Sequence, residues 1–185
     1  MLKRSIITFA LLSLAFMLPS QAQITSLIVQ LDLGIGGGLS FPTSPLSDND
    51  NVGYNAIGKA RLHGILPLNI TAMGMFNTLP NKSGGSSDQQ WLVGAGLEYG
   101  LISVAVHPYF AVDAFYSDFT NTAEGAPTLS RGGMGFGFGA VLGLPGSGGI
   151  DAALKYQVMN MWGKEANEET ATQVSLNVAY MFNIF

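Results

Sequence analysis

The chain has 185 residues, room for one domain, and only 11% of them are charged, against roughly 25% in ordinary soluble domains. It contains no cysteine, which excludes disulfides, thiol catalysis and a lipoprotein-type anchor. Its formal net charge of −4 argues against a nucleic-acid partner, because phosphate binding needs a basic face.

In chain order, the first element reads as a secretory signal. Lys3 and Arg4 supply the positive start, residues 6–18 the apolar core, and Ser20-Gln21-Ala22 the small residues of a cleavage site. The expected division is therefore 1–22 as signal peptide and 23–185 as one domain. Losing Lys3 and Arg4 leaves six basic against twelve acidic side chains, a net charge of −6. Beyond the signal, no apolar run approaches the roughly 20 residues of a spanning helix. The 48% of hydrophobic residues must be distributed in another pattern.

That pattern is alternation with period two, the mark of strands. The first segment, 27–41, sets Leu27, Val29, Leu31, Leu33, Ile35, Leu39 and Phe41 against Gln30, Asp32, Gly34, Gly36, Gly38 and Ser40. The second, 54–66, sets Ala56, Ala60 and Leu62 against Asn55, Lys59, Arg61 and His63. The third, 69–79, sets Ile70, Ala72 and Phe76 against Thr71, Met73, Met75 and Asn77. The fourth, 89–99, sets Trp91, Val93, Ala95, Leu97 and Tyr99 against Gln90, Gly94, Gly96 and Glu98.

The fifth, 104–116, sets Phe110, Val112, Ala114 and Tyr116 against Tyr109, Ala111 and Asp113. The sixth, 132–144, sets Met134, Phe136, Phe138, Ala140 and Leu142 against Gly133, Gly135, Gly137 and Gly139. The seventh, 150–160, sets Ile150, Ala152, Leu154, Tyr156 and Val158 against Asp151, Lys155 and Gln157. The eighth, 172–182, sets Val174, Leu176, Val178, Tyr180 and Phe182 against Gln173, Ser175, Asn177 and Ala179.

Segments of about 10 to 13 residues suit a tilted membrane-crossing strand, which needs roughly 9–11; strands of soluble proteins average about 5–6. The connections alternate in kind. Those at 42–53, 80–88, 117–131 and 161–171 are long and polar, and those at 67–68, 100–103 and 145–149 are short. Short turns on one side and long loops on the other are the habit of outer-membrane barrels. An unpaired edge in hydrocarbon costs several kcal/mol per backbone group, so the eighth strand must close on the first. The expected fold is an all-β, eight-stranded, antiparallel up-and-down transmembrane barrel, apolar outside and polar inside.

With these features the chain resembles the small eight-stranded outer-membrane barrels of the OmpA/OmpX-like type, over essentially all of 23–185. The resemblance implies location in the outer membrane of a Gram-negative cell, a lipid and lipopolysaccharide surround, a monomeric state and no cofactor. It also implies that the C-terminal strand, with Val174, Leu176, Val178, Tyr180 and Phe182, carries the signal for the barrel assembly machinery. The usual terminal aromatic would be Phe185, yet Phe185 lies on the opposite parity from that row. Either a bulge restores it or Phe182 takes the part.

The candidate chemistry lies inside. Asp32, Glu98, Asp113 and Asp151 face inward by parity, as do Lys59, Arg61 and Lys155. An eight-stranded barrel is just wide enough for side chains to fill, and buried charges must pair. These seven are expected to form a lumenal network, with a narrow ion path as the rival reading. The inward glycines make room for side chains such as Arg61, Tyr109 or Met159, or else line a small cavity. The run 34–38 is no nucleotide loop, because Ser40-Phe41-Pro42 follows it instead of a helix.

His63 and His107 are expected inward near the terminus-bearing end, away from the outer rim where a lipid acylase works. No G-x-S-x-G elbow occurs and no metal-ligand spacing stands out. The acidic stretches Asp48-Asn49-Asp50 and 165–169 offer oxygen ligands for divalent cations. Aromatics near strand ends, Tyr54, Trp91, Tyr99, Tyr116, Trp162, Tyr180 and Phe182, fit interfacial girdles. The expected function is non-enzymatic: envelope integrity or surface interaction. The alternative is a narrow porin-like channel or small-ligand carrier, and a third reading is a lipid-modifying enzyme.

Overall fold

A computed structural model of the protein describes residues 30–63, 67–101, 106–122, 128–144 and 148–184. The expected signal, Leu27 to Val29 at the head of the first strand, residues 64–66 at the end of the expected second strand, 102–105 across a short turn and the start of the expected fifth strand, 145–147 of the last short turn, Glu124 and Phe185 lie outside the described residues.

The strands are β1 (Gln30–Pro42), β2 (Gly53–His63), β3 (Leu68–Pro80), β4 (Ser87–Gly100), β5 (Val106–Asn121), β6 (Thr128–Leu144), β7 (Gly148–Trp162) and β8 (Thr172–Asn183). A single helical turn, α1 (Leu46–Asn49), interrupts the connection from β1 to β2, where the sequence suggested only loop. Each strand pairs antiparallel with its chain neighbour, and β8 returns to β1 through a continuous register from Asp32↔Asn183 to Pro42↔Gln173. The eight strands therefore form a closed barrel with no free edge.

Alternation sorts the two faces. Tyr54, Ile70, Trp91, Val93, Phe110, Phe138, Val178 and Phe182 stand on the exterior, with fractional exposures of 46–68%. Arg61, Gln90, Glu98, Asp113 and Gln157 on the other parity are at most 3% exposed. Such a body is penalised by water and accepted by hydrocarbon. Exterior aromatics gather at the two ends. Tyr54, Trp91, Tyr116 and Trp162 encircle the long-loop end, and Tyr99, Phe110, Tyr180 and Phe182 the end that carries the C-terminus.

The strands overrun the expected segments. The stretch 117–131 read as one long loop, but the ladder continues through Ser117↔Arg131, Asp118↔Ser130, Phe119↔Leu129 and Thr120↔Thr128. Apart from Phe119 and Leu129 these residues are polar, as suits a stretch that rises above the apolar band, and the Thr120 and Thr128 hydroxyls bond each other at 2.9 Å. On β7 the register slips between Gly132 and Met134 of its partner β6, and Met159 and Asn160 are both buried in succession. This bulge carries β7 past residue 160, its expected end, to Trp162.

Candidate functional site in the barrel lumen

From the C-terminus end outward the lumen is built in three layers. The first holds charges. Lys59 Nζ lies 2.5 Å from Glu98 and 2.6 Å from Asp151, and Arg61 reaches the same two carboxylates at 2.6 and 2.7 Å. These contacts leap from β2 to β4 and β7, which are not its neighbours in the sheet. Tyr109 completes the group: its hydroxyl donates to Asp151 Oδ1 at 2.7 Å and accepts from Lys59 at 3.3 Å. Both cations also lie over its ring, 5.0 and 5.2 Å from the centroid.

Two smaller pairs stand apart from this group. Lys155 meets Asp113 at 2.6 Å and also donates to Met73 Sδ at 3.7 Å. Asp32 is bound by His63 Nε2 at 2.6 Å and by Asn183 Nδ2 at 3.2 Å. The seven charged positions read from the sequence thus resolve into three groups rather than one continuous network. Asp32 sits opposite Arg61 in the β1–β2 register, yet Arg61 turns across the lumen and Asp32 takes the diagonal His63. His107, by contrast, is exposed at the rim.

The second layer is apolar. Ile57, Met73, Met75, Leu92, Phe115, Met159, Ala179 and Met181 form one buried cluster. Flexible thioethers fill an irregular cylinder well. The third layer is amide and hydroxyl. Asn55 donates to Ser40 at 3.1 Å, Ser40 to Asn77 at 2.9 Å and Asn77 to Gln90 at 3.0 Å, while Gln173 donates to Gln157 at 3.0 Å. A cavity of about 20 Å³, lined by Lys59, Thr71, Asp151, Lys155 and Asn177 among others, lies between the charge groups. Such a space is on the scale of a single water.

The β6 glycines are the floor on which β5 side chains lie. Tyr109, Asp113 and Phe115 pair with Gly139, Gly135 and Gly133. A Cβ at Gly139 would stand 2.5 Å from the Tyr109 hydroxyl, and one at Gly135 would stand 2.5 Å from Asp113 Oδ1. The inward glycines on β1, Gly34, Gly36 and Gly38, instead face the β8 backbone and Met181. These rows are therefore occupied space, not the wall of an open cavity.

At the long-loop rim, two acidic stretches differ. Glu168 is clasped by Arg131, whose Nε donates to both carboxylate oxygens at 3.2 and 3.0 Å, and by Asn160 at 2.7 Å. The hydrogen bonds from Arg131 hold its carboxyl down to about 2. A carboxylate so well supplied with donors has little use for a metal. Asp50 is in the opposite situation. It bridges to Asn81, is 2% exposed, and its Oδ1 meets no hydrogen-bond donor. Burial, reinforced by the neighbouring Asp88 carboxylate, pushes its carboxyl up to about 7. No group of three or more His, Cys, Asp or Glu side chains with metal-binding geometry occurs among the described residues.

No family model matches the sequence, and no curated protein does. Solved structures do. Neisserial surface protein A superposes with a TM-score of 0.68 at 14% identity, over 83% of this chain and 97% of that one. Ail, the attachment invasion locus protein of Yersinia pestis, gives 0.55 at 15% identity over 83% and 99%. The N-terminal β-barrel domain of Pseudomonas aeruginosa OprF gives 0.52 at 13% identity over 83% and 99%. With the closed register and the inside-out distribution of polarity, these likenesses show that the chain has the fold of the small eight-stranded outer-membrane β-barrels.

Proposed function

We propose that the chain is an integral outer-membrane protein of a Gram-negative cell whose barrel is a closed structural body, and that it serves envelope integrity or surface contact through its long loops. The observation that carries this reading is the filling of the lumen. Charged side chains are spent on one another, the middle is packed with Met and Phe, and the cavity between the charge groups measures about 20 Å³. A transport path needs groups that can exchange partners with a passing solute. The surround implied by the exterior band is membrane lipid and lipopolysaccharide, and the assembly machinery would read the strand carrying Val174, Leu176, Val178, Tyr180 and Phe182.

The lipid-modifying reading gains little from the histidines. His63 is taken up by Asp32 at the end away from the long loops. Planar-bilayer recording of the purified protein tests the proposal. The expected result is an electrically silent membrane at protein levels that insert a known porin. Stable unit steps whose size changes on Glu98→Gln would overturn it in favour of the channel.

A further inference from the structure

The cavity of about 20 Å³ lies where β2 and β3 face β7 and β8 across the lumen. Lys59 of β2 and Thr71 of β3 stand on one side, Asp151 and Lys155 of β7 and Asn177 of β8 on the other. β1 runs between the two strand pairs and sends no side chain into the space, because its inward positions 34, 36 and 38 are glycine. The small side chains of Ala153 and Ala179 leave room where β7 and β8 meet.

The hydrogen-bonding capacity left over on these walls is specific. Asn177 is 4% exposed, and its Nδ2 donates to Ser175 Oγ at 3.2 Å. Its Oδ1 is fully covered and receives no donor among the described residues. A buried carbonyl oxygen left so is costly and calls for a partner. Lys155 carries three N–H donors and directs two of them to Asp113 Oδ2 at 2.6 Å and Met73 Sδ at 3.7 Å. One N–H is thus left over among the described residues. Lys59 faces three acceptors already, on Glu98, Asp151 and Tyr109. Asp151 Oδ1 accepts from Tyr109 and has a second lone pair.

Two ammonium groups on the wall repel a cation, and a carboxylate and a carbonyl oxygen repel an anion. The occupant that fits is neutral and both accepts and donates. A water needs about 10–15 Å³ of such space and 2–4 polar partners, so the cavity takes one and no second. We propose that the cavity is a built site for a single water molecule, which accepts from Lys155 and Thr71 and donates to Asn177 Oδ1 and Asp151 Oδ1. This water joins the Lys155–Asp113 pair to the group of Lys59, Arg61, Glu98 and Asp151, so that the two act as one network. The site goes beyond the structural role above and stands whether or not the barrel conducts.

Overhauser transfer from water is read, in the laboratory and rotating frames, at the Ala153 and Ala179 methyls of the folded protein in detergent micelles. These methyls carry no exchangeable protons, and an unboiled-gel shift verifies folding. The expected result is transfer at both methyls with the sign of a held molecule. It should be lost at Ala179 in Ala153→Val, whose added carbon fills the space while Lys155 and Thr71 keep their own exchangeable protons. Asn177→Leu, which removes the acceptor, should abolish it too and serves if Ala153→Val does not fold. Absence of transfer at both methyls of the unaltered protein overturns the proposal. So does transfer that survives in the folded variants, since it then comes from Lys155 or Thr71. A saturable methyl shift on adding potassium bromide, unmatched by sucrose of equal osmolality, also overturns it by making an ion the occupant.

Discussion

Tyr109, Asp113 and Phe115 can lie flat in a narrow cylinder because their partners across the ladder are glycines. Gly139→Ala should therefore displace the Tyr109 hydroxyl from Asp151, at an overpacking cost of about 1–3 kcal/mol. Gly58→Ala, on the exterior with open space around its Cβ position, should be close to neutral. Thermal melts of the two variants in one detergent decide the matter, and equal melting temperatures would refute the packing account. Glu98 is a harder test. Glu98→Gln leaves Lys59 and Arg61 facing Asp151 alone, and stranding a buried charge costs about 3–5 kcal/mol. Adding Lys59→Met should recover part of that loss, as a double-mutant cycle of urea unfolding would show. Parity in the sequence was enough to put Asp32, Lys59, Arg61, Glu98, Asp113, Asp151 and Lys155 on one face. Partner choice was not legible, because it depends on reach across the lumen. Arg61 is long enough to abandon Asp32, its opposite on β1, for β4 and β7. Tyr109 and His63 were visible as inward residues, but their roles emerge only once the cylinder closes.

At the scale of an element, the 163–171 connection is held by the Arg131–Glu168–Asn160 clasp. The folded Glu168 carboxyl lies near 2, below its ordinary 4.5, chiefly because Arg131 donates to it. A depressed carboxyl adds stability that is complete above the ordinary value and lost as pH falls toward the folded one. The clasp should therefore be intact at neutral pH and open between about pH 4.5 and 2. NMR titration of the Asn160 side-chain amide reads this directly; a midpoint near 4.5 would refute the clasp. The connection also shows where sequence reading stops. The eight strand cores were legible from alternation, because one face meets apolar surroundings and the other a packed lumen. The upper hairpin of β5 and β6 was not, since beyond the lipid polar residues spread onto both faces and the period vanishes. The β7 bulge was equally hidden, since Asn160 follows Met159 inward against the two-residue rhythm.

For the whole molecule, the exterior is the solvent-contact surface, and its chemistry predicts a depth-dependent intolerance of charge. Ala95 on β4 pairs with Ala114 on β5, midway along both strands and facing out. Arginine at either position should cost about 2–4 kcal/mol, and much less near the ends of the band. Unfolding from lipid vesicles measures this, and a flat response along β4 would contradict a membrane-crossing orientation. The overall architecture was the most legible level of all. Strand number, loop asymmetry and the need to remove an edge in hydrocarbon converge on one closed topology, whatever the details of any single pair.

The lumenal charges span great distances along the chain. Arg61 is 37 residues from Glu98 and 90 from Asp151, and Lys155 is 42 from Asp113. No hairpin of adjacent strands brings Arg61 to its partners. A half-rolled sheet in lipid would expose a bare guanidinium to hydrocarbon, so the cylinder gains its neutrality only on completion. Electrical balance thereby serves as a checkpoint on assembly: intermediates are penalised in proportion to how open they remain, and β8 reaching β1 is rewarded on the far side of the lumen as well as at the seam.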